Sequence, residues 1–416
     1  MSFQQGLSGL NASAKSLDAL GNNIANSGTV GFKSASTEFS DVFAAALGGG
    51  GQVGIGTSVS GVKQSFGQGN ITTTSSPLDL AINGQGFFRL NTNGTTSWSR
   101  NGQFNVDKDG YIVNASGAKL TGYLADASNT IVPSSPQDVF INTASLKPQP
   151  TGTDVAGSGP GVKLGVNLDS REPIRPAGSF IYTSPTTYNS STSVSVFDSL
   201  GVGHVMTMYF CKDSPLNWSV FAGIDQGDPT LVANPFQALT FDTSGALSGY
   251  AVQSVNFPAA LFNPATGAAD LTFKLNLTGS TQYGNVFGVD AIAQDGYTSG
   301  RLAGLSVASD GTIQGRYSNG QTRDLAQVVL GNFANPNGLT SLGNNQWSET
   351  ADSGQPLIGV PASGSLGLLQ SAAIEESNVD LTAELVQMIT QQRAYQANAQ
   401  SIKTQDSVLQ TLVNLR

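Results

Sequence analysis

Ser2-Phe3-Gln4-Gln5-Gly6-Leu7-Ser8-Gly9-Leu10-Asn11-Ala12-Ser13-Ala14-Lys15-Ser16-Leu17 opens the chain. Leu381-Thr382-Ala383-Glu384-Leu385-Val386-Gln387-Met388-Ile389-Thr390-Gln391-Gln392-Arg393-Ala394-Tyr395 stands near its end. In the first stretch Phe3, Leu7, Leu10, Ala14, Leu17, Gly21 and Ile24 recur at alternating steps of four and three. In the second the same steps run Leu381, Leu385, Met388, Gln392, Tyr395, Ala399, Ile402, Asp406, Leu409, Val413. That spacing is the seam of a helix packed lengthwise on other helices. All 17 prolines lie between Pro77 and Pro361, and no glycine follows Gly367. Two helix-competent ends therefore bracket a long middle of another character.

The first helix is expected over residues 2–26, about 36 Å at 1.5 Å per residue, with Asn26-Ser27-Gly28 as its stop. The last is expected from Asp380 to Val413, about 50 Å long. Ser377, with Asp380 three residues on, reads as its capping box. A second, shorter helical pattern (Phe39, Val42, Phe43, Leu47) runs into Gly48-Gly49-Gly50-Gly51, where backbone entropy defeats a helix. The rest of 34–76 reads as an extended connector.

The middle reads as β-structure. Leu78, Leu80 and Ile82 alternate before Asn83-Gly84-Gln85-Gly86, and Phe88 and Leu90 resume the alternation: strand, turn, strand. Asp109-Gly110 and Ser116-Gly117 punctuate the next β-formers. Val307-Ala308-Ser309-Asp310-Gly311-Thr312-Ile313 echoes Val106-Asp107-Lys108-Asp109-Gly110-Tyr111-Ile112, so the two flanks share one sheet domain interrupted by an insert. Pro148, Pro150 and Pro160 mark the break. Inside the insert Val194, Val196 and Val205, Tyr209 flank a hairpin turn at Asp198-Ser199-Leu200-Gly201, and Leu239, Phe241 precede another at Asp242-Thr243-Ser244-Gly245. The insert is expected to be an all-β sandwich or barrel.

The expected fold class is mainly β with an α-helical coiled-coil terminal domain, in discontinuous nested domains. Residues 1–33 and 374–416 make the inner helical domain, 34–76 the extended connector, 77–147 and 298–373 the middle β-domain, and 148–297 the outer inserted β-domain.

Composition removes several function classes. Charged residues are 11% of the 416, against about 25% in ordinary soluble proteins. Net charge is −9, and the 19 basic residues are scattered singly, so no footprint for nucleic acid or an anionic membrane exists. No run approaches the ~18 apolar residues of a membrane span. The start has no secretory signal pattern: its first basic residue is Lys15, and no continuous apolar region follows.

Catalytic chemistry is equally unsupported. His204 is the only histidine, a polar residue in a strand after a tight turn. Cys211 stands alone, which forbids an intrachain disulfide; it reads as a small buried apolar residue. Asp107-Lys108-Asp109-Gly110 puts glycine at the fourth position, where a calcium loop needs it at the sixth, so it is a hairpin turn. No metal-ligand set and no cofactor site is expected. The chain is not expected to be an enzyme.

The seams allow two packings: a helical hairpin within one chain, or contacts between copies. A two-helix hairpin buries little apolar area, and Gln392, Asp406, Gly21, Ala14 and Ala399 dilute the stripes. Such helices order by packing against further copies.

Asn22-Asn23-Ile24-Ala25-Asn26-Ser27-Gly28-Thr29-Val30-Gly31-Phe32-Lys33 resembles the N-terminal signature of the bacterial flagellar rod and hook proteins. Ser377-Asn378-Val379-Asp380-Leu381, continuing through Gln391-Gln392-Arg393-Ala394-Tyr395-Gln396-Ala397-Asn398, is similar to the same family's terminal helix. Ile82-Asn83-Gly84-Gln85-Gly86-Phe87-Phe88 and Arg100-Asn101-Gly102-Gln103-Phe104 resemble its first sheet domain. Rod members lack a large insert, whereas Val196-Phe197-Asp198-Ser199-Leu200-Gly201 and His204 resemble the outer domain of the hook-type member. A distal rod subunit is the nearest alternative. A secreted β-rich adhesin leaves the matched helical ends unexplained.

The resemblance implies a self-assembling, curved tubular universal joint that carries torque from rod to filament and encloses the export channel. It implies inner-tube packing by Phe3, Leu7, Leu10, Leu17, Ile24, Leu381, Leu385, Met388, Tyr395, Ile402, Leu409 and Val413, with Asn22, Asn23, Ile24, Ala25, Asn26, Gly31, Phe32 and Lys33 as the signature. It also implies bracing of neighbouring subunits by 34–76. The implied partners are further copies, the distal rod protein, the hook cap protein, the first hook–filament junction protein and the flagellar type III export apparatus. The implied location is the flagellar hook, outside the cell, after export without a cleaved signal.

Overall fold

The computed structural model describes residues 2–42, 54, 56–126, 129–142, 144–152, 161–231, 236–262 and 267–414. Long helices occur at the two ends, Ser2–Ala25 and Leu381–Asn414, and the described residues between them are almost all strands and turns. The chain divides into two compact units. One comprises Met1–Asn142, Gly304–Gly315 and Arg323–Arg416; the other comprises Thr143–Ala303 and Arg316–Thr322.

The first unit joins the helix pair to sheet. The larger sheet has 13 strands. Its longest path runs from Leu302–Val307 through Thr312–Tyr317, Thr322–Val328, Lys119–Leu124, Phe87–Thr92, Thr95–Ser99 and Gln346–Ser348 to Thr340–Gly343. Strands from before and after the insert thus share one sheet. Part of its core is aromatic: Phe87 meets Phe333 and Trp347 edge-on at 5.9 and 5.8 Å, and Trp98 meets Phe333 at 5.1 Å, geometry that suits the ring quadrupoles. Phe66 closes this cluster, 5.5 Å from both Phe87 and Trp347.

The internal echo is a repeated turn. Asp107 N–H donates to Tyr111 O, and Gly110 N–H to Asp107 O; Ala308 N–H donates to Thr312 O, and Gly311 N–H to Ala308 O. Both glycines sit at left-handed φ, 90° and 84°, which an L side chain resists. Asp107 Oδ1 also accepts from the N–H groups of Asp109 and Tyr111 at 2.9 and 2.7 Å, so its carboxylate serves the turn.

Leu80–Asn83 and Phe87–Thr92 are strands, although they do not pair with each other. The first pairs antiparallel with Leu368–Ser371, the second with Thr95–Ser99. The turn at Gly84–Gly86 passes the chain from one sheet to another.

Two local expectations need correction. Phe39 and Val42 lie on a strand, Ala35–Val42, paired antiparallel with Gly56–Gln64; Phe43, Leu47 and Gly48–Gly51 lie outside the described residues. A short apolar pattern fits both periods, and here a distant strand carrying Val59 and Val62 decides. Among its described residues the connector therefore holds two paired antiparallel strands, followed by Ile71–Thr73 paired with Ala373–Glu375. The C-terminal helix, moreover, is capped by Asp380, whose Oδ1 accepts from the N–H groups of Thr382 and Ala383 at 2.9 and 3.1 Å. Ser377 Oγ accepts from Val379 N–H outside the helix.

The second unit is a β-sandwich. A five-stranded sheet (Ser190–Phe197, Gly203–Ser214, Asn217–Ile224, Gln237–Phe241, Leu247–Ser248) shares one core with a four-stranded sheet (Gln253–Phe257, Leu271–Asn276, Val162–Asn167, Gly288–Gln294). Alternation sends Val194, Val196, Met206, Met208 and Phe210 inward from one sheet, and Leu271, Phe273 and Leu275 from the other. Phe180, Cys211 and Phe221 form a smaller cluster.

Candidate assembly site at the paired termini

The helix pair is antiparallel. A Cβ on Gly6 would lie 3.0 Å from Ile402 Cγ1, one on Gly9 only 2.8 Å from Asn398 Nδ2, and Asn23 Nδ2 donates to Glu384 Oε1 at 3.1 Å. Close approach is made at small residues, Gly6 against Ile402 and Gly9 against Asn398. Gly6, Ala12, Ser13, Ser16, Leu20 and Asn23 are buried on the N-terminal helix. On the C-terminal helix none of the described side chains is fully buried; Glu384, Met388, Gln391, Ala394, Asn398, Ala399, Ile402 and Gln405 are half-buried.

The apolar stripes chosen by spacing are only partly covered in this pair. Phe3, Leu7, Leu381, Leu385, Tyr395 and Leu409 are exposed by 37–54%, while Leu10, Leu17, Ile24, Met388 and Ile402 are half-buried. The side chain of Val413 lies outside the described residues. Spacing passed over Val386, Ile389 and Val408, which are exposed too; a single stripe hides a second apolar strip beside it.

Below the helices the signature residues build a junction. Asn23, buried, donates from Nδ2 to Ala35 O at 2.8 Å and accepts from Ala35 N–H at 2.9 Å, fixing where the chain leaves the helix. Asn26 binds Asn22 through both the backbone and side-chain oxygens. Gly31 donates its N–H to Glu375 O. With φ 72° and Asn101 N 2.6 Å from where a Cβ would sit, that position admits only glycine.

Lys33 then reaches into the interior, with a fully buried side chain. Its Nζ donates to Gly67 O and to Glu375 Oε1, both at 2.7 Å. Glu375 Oε1 also accepts from Gly69 N–H, and Oε2 accepts from Arg100 at 3.1 Å. Arg100 donates further to Gly84 O and Ile82 O. Two cations thus share one buried carboxylate between the ends of both helices and the sheet. Burial lowers the Lys33 ammonium and the Arg100 guanidinium pKa, and Glu375 opposes the shift in each. Glu375 escaped the sequence reading because nothing local distinguishes it, and it lies 342 positions from Lys33.

Comparison with known proteins follows this anatomy segment by segment. Residues 3–33 match the flagella basal body rod protein family, and 370–415 match the flagellar basal body rod FlgEFG protein C-terminal family. Residues 81–146 match the flagellar hook protein FlgE/F/G D1 domain, and 167–297 the flagellar basal body protein FlaE D2 domain. The flagellar hook protein FlgE of Escherichia coli K12 is 42% identical over 420 residues, covering 100% of both chains. The chain belongs to the flagellar hook protein family.

Other hook proteins agree: FlgE of Salmonella typhimurium is 42% identical over 422 residues, and that of Borreliella burgdorferi 34% over 455. The crystal structure of Helicobacter pylori hook protein FlgE2 shares the fold at a TM-score of 0.50 and 14% identity, over 72% of this chain and 99% of that one. The chain is a structural subunit of the flagellar hook, and it acts in motility.

Within the hook subunit the remaining singled-out residues have structural partners. His204 is buried, with Nδ1 2.6 Å from Asp225 Oδ2 and Nε2 3.5 Å from Asp198 Oδ2. Asp198 holds its turn through the N–H groups of Leu200 and Val202. Cys211 is buried, and burial pushes its thiol pKa up to about 12. No helix among the described residues is long and apolar enough to cross a membrane, and no metal-binding cluster occurs among them.

Proposed function

We propose that this hook subunit polymerises through its terminal helices into a curved tube. That tube joins rod to filament as a universal joint, transmits torque and encloses the export channel. One observation carries the reading: Phe3, Leu7, Leu381, Leu385, Tyr395 and Leu409 stay exposed on the chain's own helix pair. Burying a single Phe or Leu contributes about 1.5–3 kcal/mol, so exposed residues from Phe3 to Leu409 hold a large gain that only other copies can release. The role is structural rather than enzymatic. The distal rod protein, the hook cap and the first hook–filament junction protein are its neighbours along the axis. The type III export apparatus delivers it outside the cell without cleaving a signal. The strand pair of Ala35–Val42 and Gly56–Gln64, with Phe39, Val59 and Val62 exposed, braces adjacent subunits.

Deleting Leu381–Arg416 is expected to leave folded β-units that stay monomeric in electron micrographs and in sedimentation, while the full chain forms short curved tubes. Tubes built by the truncated chain would remove the helices from the mechanism. Straight tubes from the full chain would favour a rod subunit.

A further inference from the structure

A groove of about 170 Å³ lies beside the helix pair, where the strand pair meets both helices. Ser16, Thr37, Phe39, Glu384, Gln387 and Gln391 are among its lining residues. Its chemistry is unbalanced. Thr37 Oγ1 and Glu384 Oε2 are buried and have no hydrogen-bond partner among the described residues, while Glu384 Oε1 is already held by Asn23. Leaving such atoms unpaired is costly, more so for a charged oxygen. A carboxylate oxygen accepts only, and the side-chain amides and exposed ring beside it complete a surface suited to a planar cation: carboxylate, hydroxyl, amide oxygens and an aromatic face.

The opposite side of the C-terminal helix carries the complement. At 100° per residue, Val386, Ile389 and Arg393 share a face about half a turn away from Glu384, Gln387 and Gln391. Val386 and Ile389 are exposed apolar residues, and Arg393 is exposed with no ion pair among the described residues. Arg393 cannot turn back into its own groove across the helix. Two complementary patches on opposite sides of one element make a head-to-tail contact, which repeats without closing on itself in a pair.

We propose that Arg393 of one copy, flanked by Val386 and Ile389, docks in the Thr37–Phe39–Glu384 groove of the next copy. Its guanidinium binds the orphaned Glu384 Oε2 and Thr37 Oγ1 and stacks on Phe39. An arginine fits better than a lysine because its planar fork serves two acceptors and a ring at once. This inference rests on polymerisation through the terminal helices and names the side chain that sets its register.

The test uses full-length protein. Glu384→Lys and Arg393→Glu are each expected to raise the critical concentration for polymerisation about tenfold, equal to about 1.4 kcal/mol, and the double charge swap is expected to recover most of that loss. Circular dichroism of the monomers checks that each variant folds. Independently, in a Cys211→Ser background, Thr37→Cys copies mixed with Arg393→Cys copies should cross-link to dimers with a short bismaleimide only in the mixed polymer. Singles that polymerise like wild type, a double swap no better than either single, or a mixed polymer that forms without the cross-link would each overturn the docking pair and leave the hook reading intact. A wild-type chain that forms no tubes would instead remove the hook reading itself.

Discussion

Glu375 holds Lys33 and Arg100 in place with one side chain. Replacing it by glutamine keeps the shape and leaves two buried cations without a counter-charge. Breaking a buried pair this way typically costs about 3–5 kcal/mol, so Glu375→Gln is expected to lower the urea midpoint of the unit that contains the helix roots. An unchanged midpoint would mean that Lys33 sheds its proton and leaves the carboxylate dispensable. Cys211 gives a second test at this scale. A thiol with its pKa pushed up to about 12 by burial is almost wholly protonated at pH 8, and the thiolate is the reactive form. Iodoacetamide at pH 8 should leave the folded protein unmodified by mass and label it once in urea; labelling of the folded chain would show that the Phe180–Phe221 cluster opens. The residues that build these sites differ in legibility. Asp107, Asp198 and Asp242 announce their turns locally because each carboxylate binds N–H groups two and four positions on. Glu375 announces nothing, since its partners come from three distant parts of the chain.

Among the elements, strands bounded by such turns follow from alternation, and the terminal helices follow from their spacing to within a residue or two. The spacing could not say which face meets which. The helices approach closely at Gly6 and Gly9 because small residues allow close axes, and part of each apolar stripe remains exposed. The Ala35–Val42 strand was illegible for a related reason: Phe39, Val42 and Phe43 fit a helix until Gly56–Gln64 supplies a partner. A helix with no fully buried described side chain has little tertiary support. Helical ellipticity per subunit is therefore expected to rise when monomer is converted to polymer. Equal values in the two states would show that the helix pair is stable alone.

For the whole molecule, the low charge density and the exposed apolar helix faces belong together. A subunit destined for crowded contacts gains from few charges to desolvate. The buried ionic junction, by contrast, sits where both helices begin their departure from the sheet, so the two helices are anchored at one place.

The longer of the second unit's two segments, Thr143–Ala303, is paired near both of its ends. Leu146 bridges Gly300, and Gln149 bridges Tyr297, antiparallel, with backbone bonds of 2.7 and 3.0 Å from the N–H groups of Leu146 and Gln149. Everything between these points is a loop whose two ends already touch, and lengthening a loop costs only about 0.6 kcal/mol per doubling. The sandwich is thus a replaceable cargo. A reporter domain, an affinity tag or a larger β-module with adjacent termini can be spliced at Leu146 and Gly300 without asking the flanking strands to move.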